Sequence, residues 1–227
     1  MTSRAVFITG TDTGIGKTWV AQAIMYALKS RGLNVSGMKP VASGGINIGN
    51  SLKNEDALLI QAQCSTKQPY EWVNPYVFAE PVAPHIAAQK TGIHIALETI
   101  TGAYVNLANS SDFVVVEGVG GWRVPLSGQQ STIDMVRALN LPVLLVIGMR
   151  LGCINHALLT AESIRADGIP LRGLVFNGAE TGYTHQDETM QTLVRSINVP
   201  VLGSLPHMTS CDIAMLAAHL DVTLLLS

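Results

Sequence analysis

The chain has 227 residues, of which 48% are hydrophobic and only 13% charged, with a formal net charge of −2. Charged residues make up roughly a quarter of an ordinary soluble domain, so much of this chain is expected to be hidden from water, in a buried sheet and an oligomer interface. The near-neutral balance and the absence of Lys/Arg clusters exclude the electrostatic footprint of a nucleic-acid or anionic-membrane binder.

The length suits one α/β domain spanning residues 1–227. Cys64, Cys153 and Cys211 are odd in number and never form a CxxC pair, which argues against a disulfide framework and a thiolate zinc site and fits a reducing cytoplasm. The opening MTSRAVFITG runs straight into a strand-like segment, and no apolar run approaches the roughly 18 residues needed to cross a bilayer. A cytoplasmic protein is expected.

In chain order, short β-branched runs mark strands at Ala5–Thr9, Asn34–Met38, Phe113–Glu117, Val143–Ile147, Leu171–Phe176 and Val199–Leu202. They are continuously apolar, as strands buried on both faces are, and helical patterns lie between them. The expected fold is therefore α/β, a doubly wound and mainly parallel sheet flanked by helices. The first helix is expected from Lys17 to about Arg31, with Val20, Ile24, Ala27 and Leu28 inward and Gly32 ending it. Between Gly44 and Tyr76 the chain is rich in Gly, Asn, Ser and Pro, which predicts long loops and one short helix around Glu55–Gln63.

The segment ITGTDTGIGKT follows the first strand and opens the first helix. It resembles a Walker A phosphate loop with a variant spacing, five residues rather than four separating Gly10 from Gly16. Glycines let backbone N–H groups converge on phosphate oxygens while the helix aims its positive end at them. Lys17 would neutralise β/γ-phosphate charge and the Thr18 hydroxyl would ligate magnesium. The second strand ends in GMKPVASGG, placing Lys39 and Ser43 at the carboxyl edge of the sheet, where a second cation would stabilise charge in phosphoryl transfer. Glu117 ends a buried strand and is followed by GVGG, the Walker B position for an acid that holds magnesium. Asp56, in KNEDALL, is either a further ligand or a charge at a helix start.

Set together, TGTDTGIGKT, MKPVASGG, NEDALL, NPYVFAEPVAPH, VVVEGVGGW, GCINHALLTAE and LPH resemble the dethiobiotin synthetase family, from the first strand to about Pro206. The resemblance implies a P-loop NTPase-like fold and an ATP-dependent cyclo-ligase. Such an enzyme closes the ureido ring of dethiobiotin on 7,8-diaminononanoate with CO2 or bicarbonate, through a carbamate and a carbamic-phosphoric anhydride. It implies Mg2+ held by Thr18, Asp56 and Glu117, with ATP on Gly14, Ile15, Gly16, Lys17, Thr18 and Trp19. Lys17 and Lys39 would stabilise the transferred charge while Thr11 and Ser43 position the reacting amine or carbamate. Gly118, Val119, Gly120 and Gly121 would approach nucleotide or substrate. Adenine would meet Asn177, whose amide suits N6 and N7, with Gly178 and the turn Pro206, His207 and Met208. The helix start at Gly152, Cys153, Ile154 and Asn155 would hold the substrate carboxylate from a neighbouring subunit, implying a homodimer with shared sites. Where many members carry an acid in the phosphate loop, this chain has Gly14, a change that bears on nucleotide selectivity.

Three alternatives fit the sequence less well. A paralogous amide- or cyclo-ligase would share the phosphate machinery but not MKPVASGG and GCINH. A switch-type ATPase of the partitioning kind would carry a lysine early in the loop, where this chain has Thr11, Asp12 and Thr13. The six histidines show no HxxxH or HExxH spacing, so a histidine-ligated metal hydrolase is disfavoured.

Overall fold

A computed structural model describes residues 4–178, 183–208 and 212–226. Cys211 lies outside the described residues. The chain runs β1 (Arg4–Gly10), α1 (Lys17–Lys29), β2 (Val35–Met38), β3 (Val41–Ser43), β4 (Ile46–Ile48), β5 (Ser51–Lys53), α2 (Glu55–Gln63), α3 (Tyr70–Val73) and β6 (Tyr76–Phe78). It continues through α4 (Pro84–Thr91), α5 (Leu97–Asn109), β7 (Phe113–Glu117), α6 (Thr132–Leu139), β8 (Val143–Gly148), α7 (Cys153–Ala166), β9 (Leu171–Asn177), α8 (Gln186–Ile197), β10 (Val201–Leu205) and α9 (Ile213–Ala218).

Six strands form one sheet in the order β10-β9-β8-β1-β7-β2, every neighbouring pair parallel. All residues of β7 and β8 are buried, which is why both read as unbroken apolar runs. On one face, α1 packs with Val6, Ile8, Val115 and Val146 and with residues of α2 and α9. On the other, Phe7, Val114 and Val116 pack with α5 and α6, and Leu145, Ile147 and Phe176 with α7 and α8. β1 lies between β7 and β8, so the strand order reverses beside it and its carboxyl end opens at the switch point where such sheets bind ligands.

Val20, Ile24 and Leu28 are buried as expected, but Ala27 is only half-buried while Ala21, Ala23 and Met25 are buried as well. Helix α1 is enclosed by the sheet, α2 and α9 and therefore has no single inner stripe. The last strand starts at Val201 rather than Val199, after Pro200, which has no N–H to give to a ladder, and its register shifts between Val201 and Gly203.

The largest departure is between Gly44 and Tyr76. In place of long loops, β4 and β5 form an antiparallel hairpin about Gly49-Asn50, α3 makes one helical turn, and β3 pairs in parallel with the remote β6. Three-residue strands are too short to leave a periodic trace. The Gly-Asn pair was the one local signal for the hairpin.

Candidate active site

A cleft of about 840 Å³ opens at the carboxyl edge of the sheet, large enough for a nucleotide and a second small ligand together. The phosphate loop forms one wall. Gly14 and Gly16 take positive φ of 73° and 84°, and a Cβ on Gly16 would collide with the Asn177 amide, so both the turn and the close approach require glycine. Helix α1 then begins at Lys17, its free N–H groups directed back into the loop.

Lys17 is buried, and its Nζ donates to the Asp12 carbonyl at 2.7 Å. Burial pushes the Lys17 ammonium down to about 8, and the like charge of Lys39 adds to the fall. The Thr18 hydroxyl donates to Glu117 Oε1 at 3.0 Å, joining the start of α1 to the end of β7. Asp12 points elsewhere: its carboxylate accepts from the Thr13 amide at 2.7 Å and pairs with Arg150, and these contacts hold it below the usual carboxylate range.

Lys39 follows β2 and is 5% exposed, with its Nζ between two carboxylates, paired with Glu117 Oε1 and, at 3.0 Å, with Asp56 Oδ2. Burial alone would lower this ammonium. The Glu117 and Asp56 carboxylates outweigh burial and raise it above the ordinary lysine range. Asp56 shows the mirror image, its desolvation overcome by Lys39 so that it stays below its usual value.

The acids fit the cation implied by the sequence. Thr18, Asp56 and Glu117 offer only oxygen, and Glu117 Oε2 is buried without a partner among the described residues. Magnesium takes one or two carboxylates, keeps several waters and completes its shell with substrate phosphates. Accordingly, a cage of three or more protein carboxylates, thiolates or imidazoles is neither needed nor present among the described residues.

The far wall carries Asn177 at the end of β9, whose Nδ2 donates to Ile15 O at 2.7 Å. That bond uses one amide hydrogen and leaves the second and Oδ1 for another partner. Gly178, His207 and Met208 line the cleft beside it, with His207 Nδ1 3.1 Å from Gly178 O. Pro206 precedes them and does not line the cleft, and neither do the buried Ile15 or Gly118, whose N–H is spent on Ile8 O at 2.9 Å. Gly14, Gly16, Trp19, Val119, Gly120 and Gly121 all reach it, as does Ser43, whose Oγ is buried without a partner among the described residues.

Further sequence-predicted residues also lie outside the cleft. Thr11 does not line the cleft: its N–H binds Val146 O at 3.0 Å and its Oγ1 accepts from Gly148 N at 3.4 Å, so it ties β1 to β8 while Thr13 takes the place in the cleft. Gly152, Cys153, Ile154 and Asn155 begin α7 as expected, but they do not line the cleft of their own chain. The sequence reading also missed the apolar part of the wall, Ala42, Pro81, Val82 and Val124. The segment NPYVFAEPVAPH was the available signal, since it carries two of these residues.

A family model described as an AAA domain matches residues 4–214. The chain is 46% identical over 219 residues to the ATP-dependent dethiobiotin synthetase BioD of Pseudomonas aeruginosa PAO1, with 96% of each chain covered. Against the protein of the same name from Cellvibrio japonicus it is 44% identical over 226 residues, covering 100% of this chain and 99% of that one. Among solved structures, the MinD cell division protein of Aquifex aeolicus superposes with a TM-score of 0.55 at 13% identity, covering 91% of this chain and 84% of the other. A ParA family ATPase from Chlorobium tepidum TLS gives 0.53 at 13% identity, covering 91% and 86%. At such identities the structural likeness is one of fold.

Proposed function

The chain belongs to the dethiobiotin synthetase family, and from that premise we propose how its cleft closes a cyclic urea. It is an ATP-dependent enzyme that joins 7,8-diaminononanoate and CO2 into dethiobiotin, releasing ADP and phosphate. The observation that carries the residue assignment is the convergence of Lys17, Lys39, Glu117, Asp56, Thr18 and Ser43 on one cleft, from elements far apart in the chain.

One amine of the substrate adds to CO2 and loses a proton, giving a carbamate. A carbamate oxygen takes the γ-phosphoryl group as ADP leaves, and the second amine attacks the carbamoyl carbon and expels phosphate. The substrate supplies both nucleophiles, so the chain's work is positioning and charge stabilisation. Lys17 turns from the Asp12 carbonyl to the β- and γ-phosphates. Lys39 sits where the carbamate and the γ-phosphate meet and offsets the charge that develops between them. The Ser43 hydroxyl and that of Thr13 orient the amine or carbamate, and the apolar wall of Ala42, Val82 and Val124 receives the alkyl chain. Magnesium, bound by Thr18, Asp56 and Glu117, would neutralise phosphate charge. Asn177, with Gly178, His207 and Met208 beside it, takes the adenine.

The start of α7 serves the neighbouring subunit of a homodimer. In its first turn the Cys153 and His156 N–H groups are spent on Arg150 O and Gly152 O, which leaves those of Ile154 and Asn155 for a carboxylate among the described residues; it stands clear of its own cleft, and beside it Leu151 is 88% exposed and Leu159 57%. Mixing Lys39→Ala with Asn155→Ala subunits is expected to restore activity to one site in each heterodimer; verified heterodimers without recovery would point to self-contained sites. The free cysteines fit a cytoplasmic enzyme. Among the described residues no helix is long and apolar enough to cross a membrane.

Phosphate release with MgATP and bicarbonate, measured with and without 7,8-diaminononanoate and compared with dethiobiotin by mass, tests the reading. Diamine-dependent release matched one to one by product is expected. Release without product would instead mark a P-loop ATPase acting on another substrate.

A further inference from the structure

Asn74 and the short helix α3 before it have no part in the chemistry above, yet they hold it in place. Asn74 is 3% exposed, and its Nδ2 donates both to the carbonyl of Lys39 at 2.6 Å and to Tyr76 O at 3.1 Å. Its Oδ1 accepts from the Tyr70 hydroxyl at 2.8 Å. The Tyr70 oxygen in turn accepts the backbone N–H of Asn54 at 2.8 Å. Asn54 caps α2, its Oδ1 accepting from Ala57 N at 3.2 Å, and its Nδ2 donates to Ser43 O at 3.3 Å. The Lys39 N–H completes the set on Val73 O at 2.7 Å.

The relay runs in one direction. Both Asn74 hydrogens are spent on carbonyls, its oxygen takes the tyrosine proton, and the tyrosine oxygen takes an amide proton, so reversing any member would set donor against donor or acceptor against acceptor. Its ends are the carbonyl of Lys39 and the capping residue two positions before Asp56, with the carbonyl of Ser43 on the same Asn54 side chain. Lys39 directly follows β2, Asn54 caps α2 and Ser43 ends β3, elements of only four, nine and three residues.

We propose that Tyr70 and Asn74 are positioning residues, which set Lys39, Ser43 and Asp56 at one mutual spacing for reaction. The proposal rests on the roles given to those three residues above. The phosphate loop is outside the relay, so nucleotide binding through Lys17 does not depend on it.

Tyr70→Phe removes the hydroxyl and keeps the ring. The expected result is a fall of about tenfold or more in kcat and a severalfold rise in diamine KM, because small misplacements of reacting groups are costly. The affinity for ADP without Mg2+ should stay within about twofold, since the phosphate loop is untouched. The gain in ADP affinity on adding Mg2+ should shrink as Asp56 shifts. Asn74→Asp, which keeps the shape but presents an oxygen to the Lys39 carbonyl, should lose more turnover than Tyr70→Phe. Should Asn74→Asp fail to fold, Tyr70→Phe decides alone. Wild-type kcat and KM in Tyr70→Phe overturn the proposal, as does a lowered melting midpoint with every constant unchanged. A wild-type protein without diamine-dependent turnover would count against the assigned reaction instead, and an unaltered Mg2+ gain in Tyr70→Phe would then overturn the relay by itself.

Discussion

Lys17 and Lys39 bring the same charge to the same cleft on unlike supports. Lys17 stands on the first turn of a thirteen-residue helix, behind a loop tied to the central sheet through Thr11 N and Val146 O at 3.0 Å. Lys39 follows a four-residue strand, and its main chain rests on Val73 and on the Asn74 side chain. Their electrostatics differ too. Lys17 donates to a backbone carbonyl and burial lowers it to about 8, whereas Lys39 is neutralised in place by two carboxylates and rises. The first is a cation prepared for an incoming anion; the second is already engaged, and its position depends on its neighbours. Backbone ladders therefore hold the phosphate-loop side of the cleft, and side-chain hydrogen bonds hold the Lys39 side, to which the proposal assigns the carbamate.

The contrast can be broken from either side. Lys17→Gln should keep the fold and lower turnover by roughly a hundred- to a thousandfold, the usual cost of removing a transition-state donor. A Lys17→Gln enzyme with near-native kcat/KM would end the assignment. Glu117→Ala should raise the Mg2+ needed for half-maximal rate by about tenfold or more while changing diamine KM less, since losing ligands or their partners costs that much metal affinity. An unchanged Mg2+ titration would remove Glu117 from the metal site.

The pH dependence separates the two lysines. Lys17 in the free protein loses its proton above about pH 8, and bound phosphate favours the charged form, so binding above that pH requires proton uptake. ADP affinity should be level below about pH 8 and fall above it by up to about tenfold per pH unit, and Lys17→Gln should abolish the fall. The same depressed value means that the unfolded chain holds this proton between about pH 8 and 10.5, so Lys17 by itself makes the fold more stable as pH rises through that window. A flat ADP profile from pH 7 to 10 would contradict it. The smallest effect concerns the two threonines: Thr13→Val should lower kcat/KM severalfold, by more than Thr11→Val, because only Thr13 lines the cleft. The reverse order would return the positioning role to Thr11.

Much of the fold was legible because its signals are local. The bounds of α2, expected at Glu55–Gln63, match the helix found, and Asn54 is the capping side chain that starts it. Residues 113–116 of β7 and the whole of β8 were visible since burial on both faces makes each an unbroken apolar run. The phosphate loop was visible because strand, glycines and helix are contiguous. Thr11 was misplaced within it, since which loop hydroxyl faces the cleft depends on the Gly148 amide, remote in the chain.

The sequence alone determined the class of sheet and the opening strand-loop-helix unit with its glycines and lysine, since each is written in neighbouring residues. Only the tertiary structure decided that Thr18 meets Glu117 across 99 positions, that Lys39 lies between Glu117 and Asp56, and that Asn177 reaches Ile15 across 162. It alone set Tyr70 and Asn74 beneath Lys39 and Asn54. Periodicity records which face of an element is buried; a hydrogen bond between single side chains on separate elements leaves no periodic trace, and its geometry exists only once the sheet order is in place.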